Sequence, residues 1–476
     1  MSGISKINML NEACQQVKTA SPARERLLKL FDADSFVELD AYTKSNGEKV
    51  GVVTGYGAIE GSTVFAFAQD SSVNDGAMGR IHAAKIKKVY DLAVKTGAPV
   101  VGMYDSNGAD LKEGNDALTA YGDILLASNN ISGVVPQISV VLGTCAASSA
   151  MVAASADFVV MSEDAQLFMT APFTTKANGE NVEGAGSAQN AAKAGVAHFV
   201  EKTADEAIAK AKAIVSMLPI NNLSTVPMCE FNYAENTADY LRTACENLAG
   251  TDVKELIGTV VDADSVVEIQ KDFAEGAFTA LATLGGFTVG IVATVADTIG
   301  RDECAKIARL VSICDAFQVP VLTFVNTQGF EASAASELSG LVRESAKLAH
   351  VYAEATTPKV SVILGDAFGP AYIALAGRNA NADVVFAWPS AVVSPLHPMT
   401  AVAIMHGDEI TADKSRQDVE NEYRTTTASA FKAAEDGIVD DVIDPAATRE
   451  ALIGALDMLE GKRVSKLPKK HGNMPL

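Results

Sequence analysis

The chain has 476 residues, of which 48% are hydrophobic and 20% are charged, and its formal net charge is −21. This length is too great for one ordinary core and suits two domains of about 200 residues or more. The acidic charge, without any block of Lys or Arg, argues against binding to nucleic acid or to an anionic membrane surface. No apolar run reaches the roughly 18 residues that a membrane span needs. These properties are compatible with a cytoplasmic enzyme whose six cysteines are reduced thiols.

The first distinctive stretch from the N-terminus is DADSFVEL at 32–39, and it returns as DADSVVEI at 262–269. The stretches that follow it return in the same order, 60–70 as 285–297, 85–111 as 306–332 and 136–161 as 358–387. Self-similarity of this extent indicates that half of the chain is a duplicate of the other half. Two copies of a fold carry two copies of its site, which favours an enzyme with two substrates in a shared cleft. Duplication that serves stability alone is the alternative.

Each half alternates short runs rich in Val and Ile, such as ISVVLGT at 138–144, with stretches of helical periodicity. Such runs are typical of buried strands, and helices between them indicate parallel pairing with crossover connections. Residues 216–240 break both periods and contain two prolines, so we place the linker there. The sequence therefore predicts an α/β protein with two domains, 1–230 and 231–476.

A turn of small residues follows a strand in each half, GTCAASSA at 143–150 and GDAFGPAY at 365–372. Such a junction presents backbone N–H groups at a helix N-terminus, which favours negative charge. With small side chains, a ligand carbonyl can approach them as in an oxyanion hole. Tight turns of this kind are also common packing devices, and that interpretation remains open. The sequence lacks nucleophile, Walker, dinucleotide-binding and Cys-pair motifs, so it predicts no metal site and chemistry that relies on backbone dipoles.

The order of motifs along nearly the entire chain resembles one family, the carboxyltransferase component of biotin-dependent acyl-CoA carboxylases and decarboxylases. Propionyl-CoA carboxylase β chains and methylmalonyl-CoA decarboxylase α chains are the members it is most similar to. The C-terminal PKKHGNMPL at 468–476 is very specific. The other segments that carry the resemblance are ARERLLKLFDADSFVEL at 23–39, GVVTGYGAIEG at 51–61, residues 83–114, SGVVPQISVVLGTCA at 132–146, LPINN at 218–222, residues 352–364, ADVVFAWPSA at 382–391 and residues 440–452.

The resemblance implies two tandem crotonase-like domains and a homo-oligomer, usually a hexamer. It places an acyl-CoA thioester at the first turn and biotin at the second. The biotin anion that remains after carbon dioxide release would remove the α-proton of the thioester, so the protein would stabilise two oxyanions. The chain has no biotinyl-lysine motif and no ATP-binding signature, so biotin would arrive on a biotin carboxyl carrier protein. A biotin carboxylase or a membrane decarboxylase subunit would be a further partner.

The family pattern, carried over residue by residue, predicts twelve site residues. The first half supplies the catalytic residues Ala147 and Ser148 and the substrate-binding residues Gly108, Ala109, Cys145 and Ala146. The second half supplies the catalytic residues Gly369 and Ala371 and the biotin-binding residues Pro370, Tyr372, Gly329 and Phe330.

Several of these positions depart from the family pattern. Ala147 and Ser148 replace two glycines, which reduces clearance and removes φ values that only glycine adopts freely. Pro370 replaces a glycine and has no N–H to donate. Asp110 stands where the family has a base, and His397 is either a substrate ligand or an ordinary loop residue.

Three functions stay open on these grounds. The first is a carboxyltransferase acting on an acyl-CoA of propionyl size, with a direction that the sequence does not give. The second is the decarboxylase subunit of a sodium pump. The third is a weakly active or inactive paralogue that serves assembly or regulation.

Overall fold

The computed structural model describes residues 5–17, 19–180, 182–378 and 380–475. The chain divides into two compact units, which we call unit 1 (Met1–Thr225) and unit 2 (Val226–Leu476). The boundary assigned from the sequence, between residues 230 and 231, lies a few residues further along. Within the described ranges each unit contains one eight-stranded sheet with helices packed on it, so the predicted α/β class is confirmed.

Unit 1 begins with two helices and builds its sheet from residue 37 onward. Its helices are α1 (Lys6–Val17), α2 (Pro22–Leu30), α3 (Arg80–Thr96), α4 (Asn115–Ile131), α5 (Ser148–Ala154), α6 (Pro172–Ala177), α7 (Ala188–Lys193) and α8 (Ala204–Met217). Its strands are β1 (Val37–Leu39), β2 (Lys44–Ser45), β3 (Glu48–Lys49), β4 (Val52–Ile59), β5 (Ser62–Gln69), β6 (Val100–Ser106), β7 (Gln137–Ala146), β8 (Phe158–Ser162), β9 (Gln166–Phe168) and β10 (Phe199–Glu201).

Unit 2 follows the same order. Its helices are α9 (Ala238–Glu246), α10 (Val253–Val260), α11 (Arg301–Ala316), α12 (Ala334–Ser339), α13 (Leu341–Glu354), α14 (Gly369–Leu375), α15 (Pro398–Met405), α16 (Arg416–Thr425), α17 (Ala430–Glu435) and α18 (Thr448–Leu459). Its strands are β11 (Val267–Glu268), β12 (Ala277–Leu284), β13 (Phe287–Thr294), β14 (Val321–Thr327), β15 (Lys359–Phe368), β16 (Val384–Ala387), β17 (Val392–Ser394) and β18 (Asp441–Val442).

The two sheets have the same topology. The strand order is β1-β4-β5-β6-β7-β8-β10 in unit 1 and β11-β12-β13-β14-β15-β16-β18 in unit 2, with β9 added on β7 and β17 added on β15. The hairpin β4–β5 is antiparallel and β5 to β8 are parallel, and unit 2 repeats this pattern. The long central strands β7 and β15 are almost wholly buried, as their Val-rich and Ile-rich sequences predict. The internal duplication inferred from the sequence is therefore a duplication of a complete fold.

The repeated phrase DADS closes the β-hairpin of each unit. The Asp32 carboxylate accepts a hydrogen bond from Gly61 N–H at 3.1 Å. The Asp262 carboxylate accepts from Gly285 N–H at 3.0 Å and from Gly286 N–H at 2.8 Å. Because these glycines form the turns of the hairpins β4–β5 and β12–β13, each aspartate ties its turn to the chain that enters the sheet.

The serine of the same phrase ties down the hairpin strand beside the turn. Ser35 Oγ donates to Asp32 O at 2.8 Å and accepts from Ala58 N–H at 3.0 Å. In unit 2, Ser265 Oγ donates to Asp262 O at 2.7 Å and accepts from Thr283 N–H at 3.1 Å. The Asp and Ser of the repeated phrase therefore hold each hairpin in place by hydrogen bonds, and we call this arrangement a clasp.

Replacing Asp262 with Asn should lower the free energy of unfolding at pH 7 by about 3 kcal/mol, since it leaves the partly buried Arg449 without its charged partner. Burial alone would raise the pKa of Asp262, but Arg449 and Gly286 N–H hold that pKa below its ordinary value of 3.8. Its contribution to stability is therefore present above pH 3.8 and is lost as the pH falls further. Urea unfolding at pH 7 and pH 3 checks this, with a smaller difference expected at pH 3. Asp32→Asn is the control, because Asp32 is more exposed and its replacement should lower the free energy of unfolding by less. Equal losses of unfolding free energy in the two variants would contradict the role of burial.

Each sheet is packed against a large apolar core. In unit 1 the core includes Phe67, Val89 and Tyr90. In unit 2 it includes Trp388, which is fully buried and donates its Nε1–H to Thr448 Oγ1 at 2.9 Å. Among the described residues, no helix combines the length and the apolar character needed to cross a bilayer.

Candidate active site

In unit 1 the strand β7 passes into helix α5 through a single residue, Ala147. Ala147 has φ 51° and ψ −117°, a conformation that residues other than glycine adopt only under constraint. Two hydrogen bonds supply that constraint, Ala147 N–H to Phe168 O at 2.8 Å and Met151 N–H to Ala147 O at 3.2 Å. The expectation that alanine would remove this conformation from the turn is therefore wrong, because strand β9 and the first turn of α5 hold it in place.

Replacing Ala147 with glycine should stabilise unit 1 by about 1 kcal/mol, because a strained positive φ costs on the order of 1–3 kcal/mol in a residue other than glycine and glycine recovers most of that. The reciprocal change, Gly369→Ala, should destabilise unit 2, since Gly369 has φ 56° and an added Cβ would lie 3.2 Å from Pro395 O. Thermal unfolding of both variants checks the pair. A lower melting temperature for Ala147→Gly would contradict the inference that the backbone of Ala147 is strained.

The start of helix α5 presents backbone donors. The first N–H groups of a helix have no acceptor within it, and no described residue accepts from the N–H of Ser148 or Ser149. Ser148 is partly exposed, whereas the Ser149 side chain is buried and its Oγ lies 2.7 Å from Tyr121 Oη. Ser148 N–H, on the more exposed of the two residues, is therefore the first candidate donor at this junction.

A second donor is provided by the loop after β6. Gly108 O accepts from Met78 N–H at 2.8 Å, and Asp110 N–H donates to Met78 O at 3.0 Å. These bonds flank Ala109 in a strand-like arrangement and leave its N–H without an acceptor among the described residues. Gly108 has φ 107°, and a Cβ added there would lie 3.8 Å from Ala146 O, so the loop lies against the β7–α5 junction.

Cys145, a predicted residue, and two neighbouring aspartates pack around this junction. Cys145 is fully buried and burial raises the pKa of its thiol, so its side chain is a neutral packing group. Asp105 lies against Gly143, where an added Cβ would meet its carboxylate at 2.1 Å, and it pairs with Arg26 at 2.9 Å. Asp110 accepts from Lys112 N–H at 3.0 Å and so caps a local turn.

Unit 2 repeats the junction at β15 and α14. Gly369 occupies the place of Ala147 with a similar positive φ, and Pro370 occupies the place of Ser148. Proline suits the first position of a helix, where its missing N–H would have no intrahelical acceptor. Ala371 N–H has no acceptor outside the helix among the described residues, and its side chain is buried. Tyr372 Oη donates to Ile438 O at 3.1 Å and anchors the helix.

The loop after β14 matches the loop after β6. Ile299 N–H donates to Gly329 O at 3.0 Å, and Glu331 N–H donates to Ile299 O at 2.9 Å. Phe330 N–H is left without an acceptor among the described residues, as is that of Ala109. An added Cβ on Gly329, which has φ 126°, would lie 3.8 Å from Phe368 O. The structure therefore brings the six predicted residues of each half to one junction.

Unit 2 adds charged groups that the sequence motifs did not predict. Asp366 lies two residues before the end of β15 and pairs with Arg424 at 3.0 Å. Burial raises the pKa of Asp366, although Arg424 opposes this shift. Arg424 also lies over the Phe368 ring, with 5.6 Å between its Cζ and the ring centroid. Asp366 could have been noticed as the carboxylate within GDAFGPAY, but its partner is 58 positions away.

His397 lies beside this group. Its ring is 5.5 Å from the Phe368 ring in an edge-on arrangement, and its Nδ1 accepts from Met399 N–H at 3.2 Å at the start of α15. The residue therefore has a helix-capping role next to the junction. No group of three or more potential metal-ligating side chains occurs among the residues that the structure describes.

Comparison with known proteins identifies the family. The carboxyl transferase domain family matches residues 16–474. The methylmalonyl-CoA decarboxylase subunit alpha of Veillonella parvula is 38% identical, covering 99% of this chain and 99% of that protein. The propionyl-CoA carboxylase, carboxyltransferase subunit of Haloferax mediterranei is 38% identical, covering 98% of this chain and 95% of that protein.

A solved structure agrees over the whole length. The hexameric transcarboxylase 12S, determined with methylmalonyl-coenzyme A and methylmalonic acid bound, superimposes with a TM-score of 0.95 at 33% identity and covers 100% of both chains. The duplicated sheets are thus tandem crotonase-like domains, and the resemblance drawn from the sequence is confirmed. On these matches, the chain belongs to the carboxyl transferase domain family.

Proposed function

We propose that the chain transfers a carboxyl group between biotin on a carrier protein and a short acyl-CoA of propionyl size. The observation that carries this proposal is the repetition of one junction in both units, each with a helix-start N–H and a loop N–H that no described residue accepts. Two such donors can stabilise negative charge on a carbonyl-type oxygen. An enzyme that moves a carboxyl group between a thioester and a ureido ring has two oxygens of this kind to stabilise.

Unit 1 is proposed to bind the acyl-CoA thioester. Ser148 N–H and Ala109 N–H would donate to the thioester oxygen as it gains enolate charge, which lowers the barrier to loss of the α-proton. Ala147 sets the direction of the Ser148 N–H through its φ of 51° and ψ of −117°, while its own N–H is bonded to Phe168 O. The other predicted substrate-binding residues, Gly108, Cys145 and Ala146, form the backbone wall of the junction.

Unit 2 is proposed to bind biotin. When bound, biotin supplies the carboxyl group and the base that the chain's own junctions lack. Ala371 N–H and Phe330 N–H would hold its ureido oxygen, with Gly369 and Gly329 giving the clearance that their positive φ values allow. Neutral backbone donors suit an oxygen that gains charge only during reaction, so the residues present fit the group. Pro370 and Tyr372 would complete the wall. Because Pro370 has no N–H at the position of Ser148, the helix-start donor of this junction is Ala371 N–H, at the position of Ser149.

A second candidate is a decarboxylase subunit that works with a membrane partner, and the similarity to the Veillonella parvula protein favours it. The chemistry at both junctions would be the same, and the partner would set the direction. Biotin carboxyl carrier protein is an expected partner in either case, and biotin carboxylase is one in the first. We also propose a homo-oligomer, with six copies as in transcarboxylase 12S. Pro370 is the observation that favours a weakened paralogue instead.

The proposal is tested by carboxyl exchange. The purified chain is mixed with a biotinylated carrier protein, carboxyl-labelled methylmalonyl-CoA and unlabelled propionyl-CoA. We expect label to enter the second thioester only when the carrier is present. Absence of exchange with any short acyl-CoA, in a preparation that binds acyl-CoA, would leave the non-catalytic paralogue as the better description.

A further inference from the structure

A cavity of about 310 Å³ lies in unit 1 outside the two junctions, between helix α1, the hairpin β2–β3 and the start of β4. Four basic side chains line it, Arg24, Lys44, Lys49 and Lys85, together with the carboxylate of Glu38. Its volume is within the range of small-molecule sites. A concentration of four cations around one cavity stands out in a chain with a net charge of −21.

The lysines of the hairpin are placed against each other. Lys44 and Lys49 are directly paired across β2 and β3, so both side chains lie on one face of the hairpin. Like charges in this arrangement repel and destabilise the pair. Neither lysine forms an ion pair with any residue in the described part of the chain. A bound anion would remove this repulsion.

The buried Lys85 has donors to spare. Its Nζ donates to Val52 O at 2.8 Å, and the residue is 5% exposed. An ammonium group has three donors, and this is the one hydrogen bond that Lys85 Nζ makes to the described residues. Burial lowers the pKa of Lys85 to about 8.

The duplicated unit provides an internal comparison. Lys306 occupies the corresponding place on α11 and is 1% exposed, but its Nζ donates to two carbonyls, Phe273 O at 2.8 Å and Ala274 O at 3.3 Å. In unit 2 the turn that follows β11 closes over the lysine. In unit 1 the matching segment extends into the hairpin β2–β3, from which no described residue accepts a hydrogen bond from Lys85, and both the hairpin and Lys85 line the cavity.

The two carboxylates near the cavity are paired with cations other than the three lysines. Glu38 is paired with Arg24, and Asp40 is paired with Lys88 at 2.6 Å. Tyr42, which also lines the cavity, has its hydroxyl 3.0 Å from Cys14 Sγ and its pKa raised. Lys44, Lys49 and Lys85 form no ion pair with any carboxylate that the structure describes, although Glu38 and Asp40 attract the Lys85 charge from a distance. Compact ammonium groups and a guanidinium are the donors that phosphate oxygens prefer.

We propose that this cavity is a binding site for a phosphate-bearing anion, held by Lys44, Lys49 and Lys85. The phosphate group could belong to a coenzyme A thioester or to a separate phosphorylated metabolite. The cavity lies at the end of the sheet where β4 begins and β5 ends. The first junction follows the C-terminal end of β7 and therefore lies at the same end of the sheet. Binding at this site does not depend on the proposed carboxyl transfer, so it can be measured directly.

The test uses pyrophosphate and inorganic phosphate as probes, with calorimetric titration of the full-length chain at pH 7. We expect saturable binding of pyrophosphate and at least tenfold weaker binding by the double variant Lys44→Gln/Lys49→Gln, since a charge-assisted hydrogen bond supplies roughly that factor. Both lysines are exposed, so this variant should fold. Lys85→Met should also weaken binding, while Lys306→Met, the matched buried lysine, should leave it unchanged.

Competition distinguishes the two sources of phosphate. If coenzyme A displaces pyrophosphate, the site holds the phosphates of the thioester; if both bind together, it holds a separate metabolite. The site would be overturned if pyrophosphate did not bind saturably, or if the double variant bound it as tightly as the wild type does. It would also be overturned if Lys432→Gln, which changes an exposed lysine elsewhere, weakened pyrophosphate binding as much as the double variant does.

Discussion

Replacing Pro370 with serine should raise turnover by up to ~10²-fold, because a missing oxyanion-hole donor costs about that factor or more. Ser148 stands at the same point of the same junction in unit 1, and its N–H is free of any described acceptor. The change Pro370→Ser would restore a backbone N–H at this position of unit 2, the junction to which biotin is assigned. Steady-state assays with saturating carrier check the turnover number, and the KM for the acyl-CoA should hardly change because that substrate is assigned to unit 1.

Pro22→Ser is the matched control for this change, since Pro22 is also an exposed proline at the start of a helix and lies outside both junctions. It should leave turnover as it is. An unchanged or lower turnover for Pro370→Ser, in a protein that melts normally, would mean that the second junction does not stabilise charge on a ligand through that position.

The reverse change at the first junction should have the largest effect of all. The double variant Ala147→Gly/Ser148→Pro copies the Gly-Pro sequence of unit 2 into unit 1 and should lower turnover by about 10²–10³-fold, since it deletes the Ser148 N–H. The backbone admits the change because Gly369 and Pro370 already occupy the same turn. Carboxyl exchange at saturating substrates measures it, with thermal unfolding to confirm that the variant folds.

The single variant Ala147→Gly distinguishes the effect of losing the Ser148 N–H from the effect of changing the residue at the turn. It keeps the Ser148 N–H and should retain activity within a few-fold of wild type. If the double variant remained as active as Ala147→Gly, the Ser148 N–H would not be the donor at the thioester.

Local sequence was sufficient for the fold and for the position of both junctions. Runs of Val and Ile followed by small residues, as at 138–150, determine where a strand must end and a helix must begin, and their repetition at 360–372 establishes the duplication. The letters of the DADS phrase are sufficient to establish that it is a repeat. Its role as a clasp depends on hairpin glycines that lie more than twenty residues away.

Features set by distant residues could not be predicted. The positive φ of Ala147 is held by Phe168 O, which comes from a later strand. The pairing of Asp366 with Arg424 joins two elements far apart in the chain. The cavity in unit 1 combines Lys44 and Lys49 with Lys85, and no motif links a hairpin to the helix that follows two strands later.

If each junction serves a different substrate, decarboxylation of the carrier alone should respond to changes in unit 2 and not to changes in unit 1. The measured quantity is the rate of carbon dioxide release from a carboxylated biotin carrier in the absence of any acyl-CoA. We expect Pro370→Ser to raise this rate and Ala147→Gly/Ser148→Pro to leave it unchanged while lowering exchange with methylmalonyl-CoA by about 10²–10³-fold. If the unit 1 variant lowered carrier-only release as much as it lowered exchange, the assignment of one substrate to each junction would be contradicted.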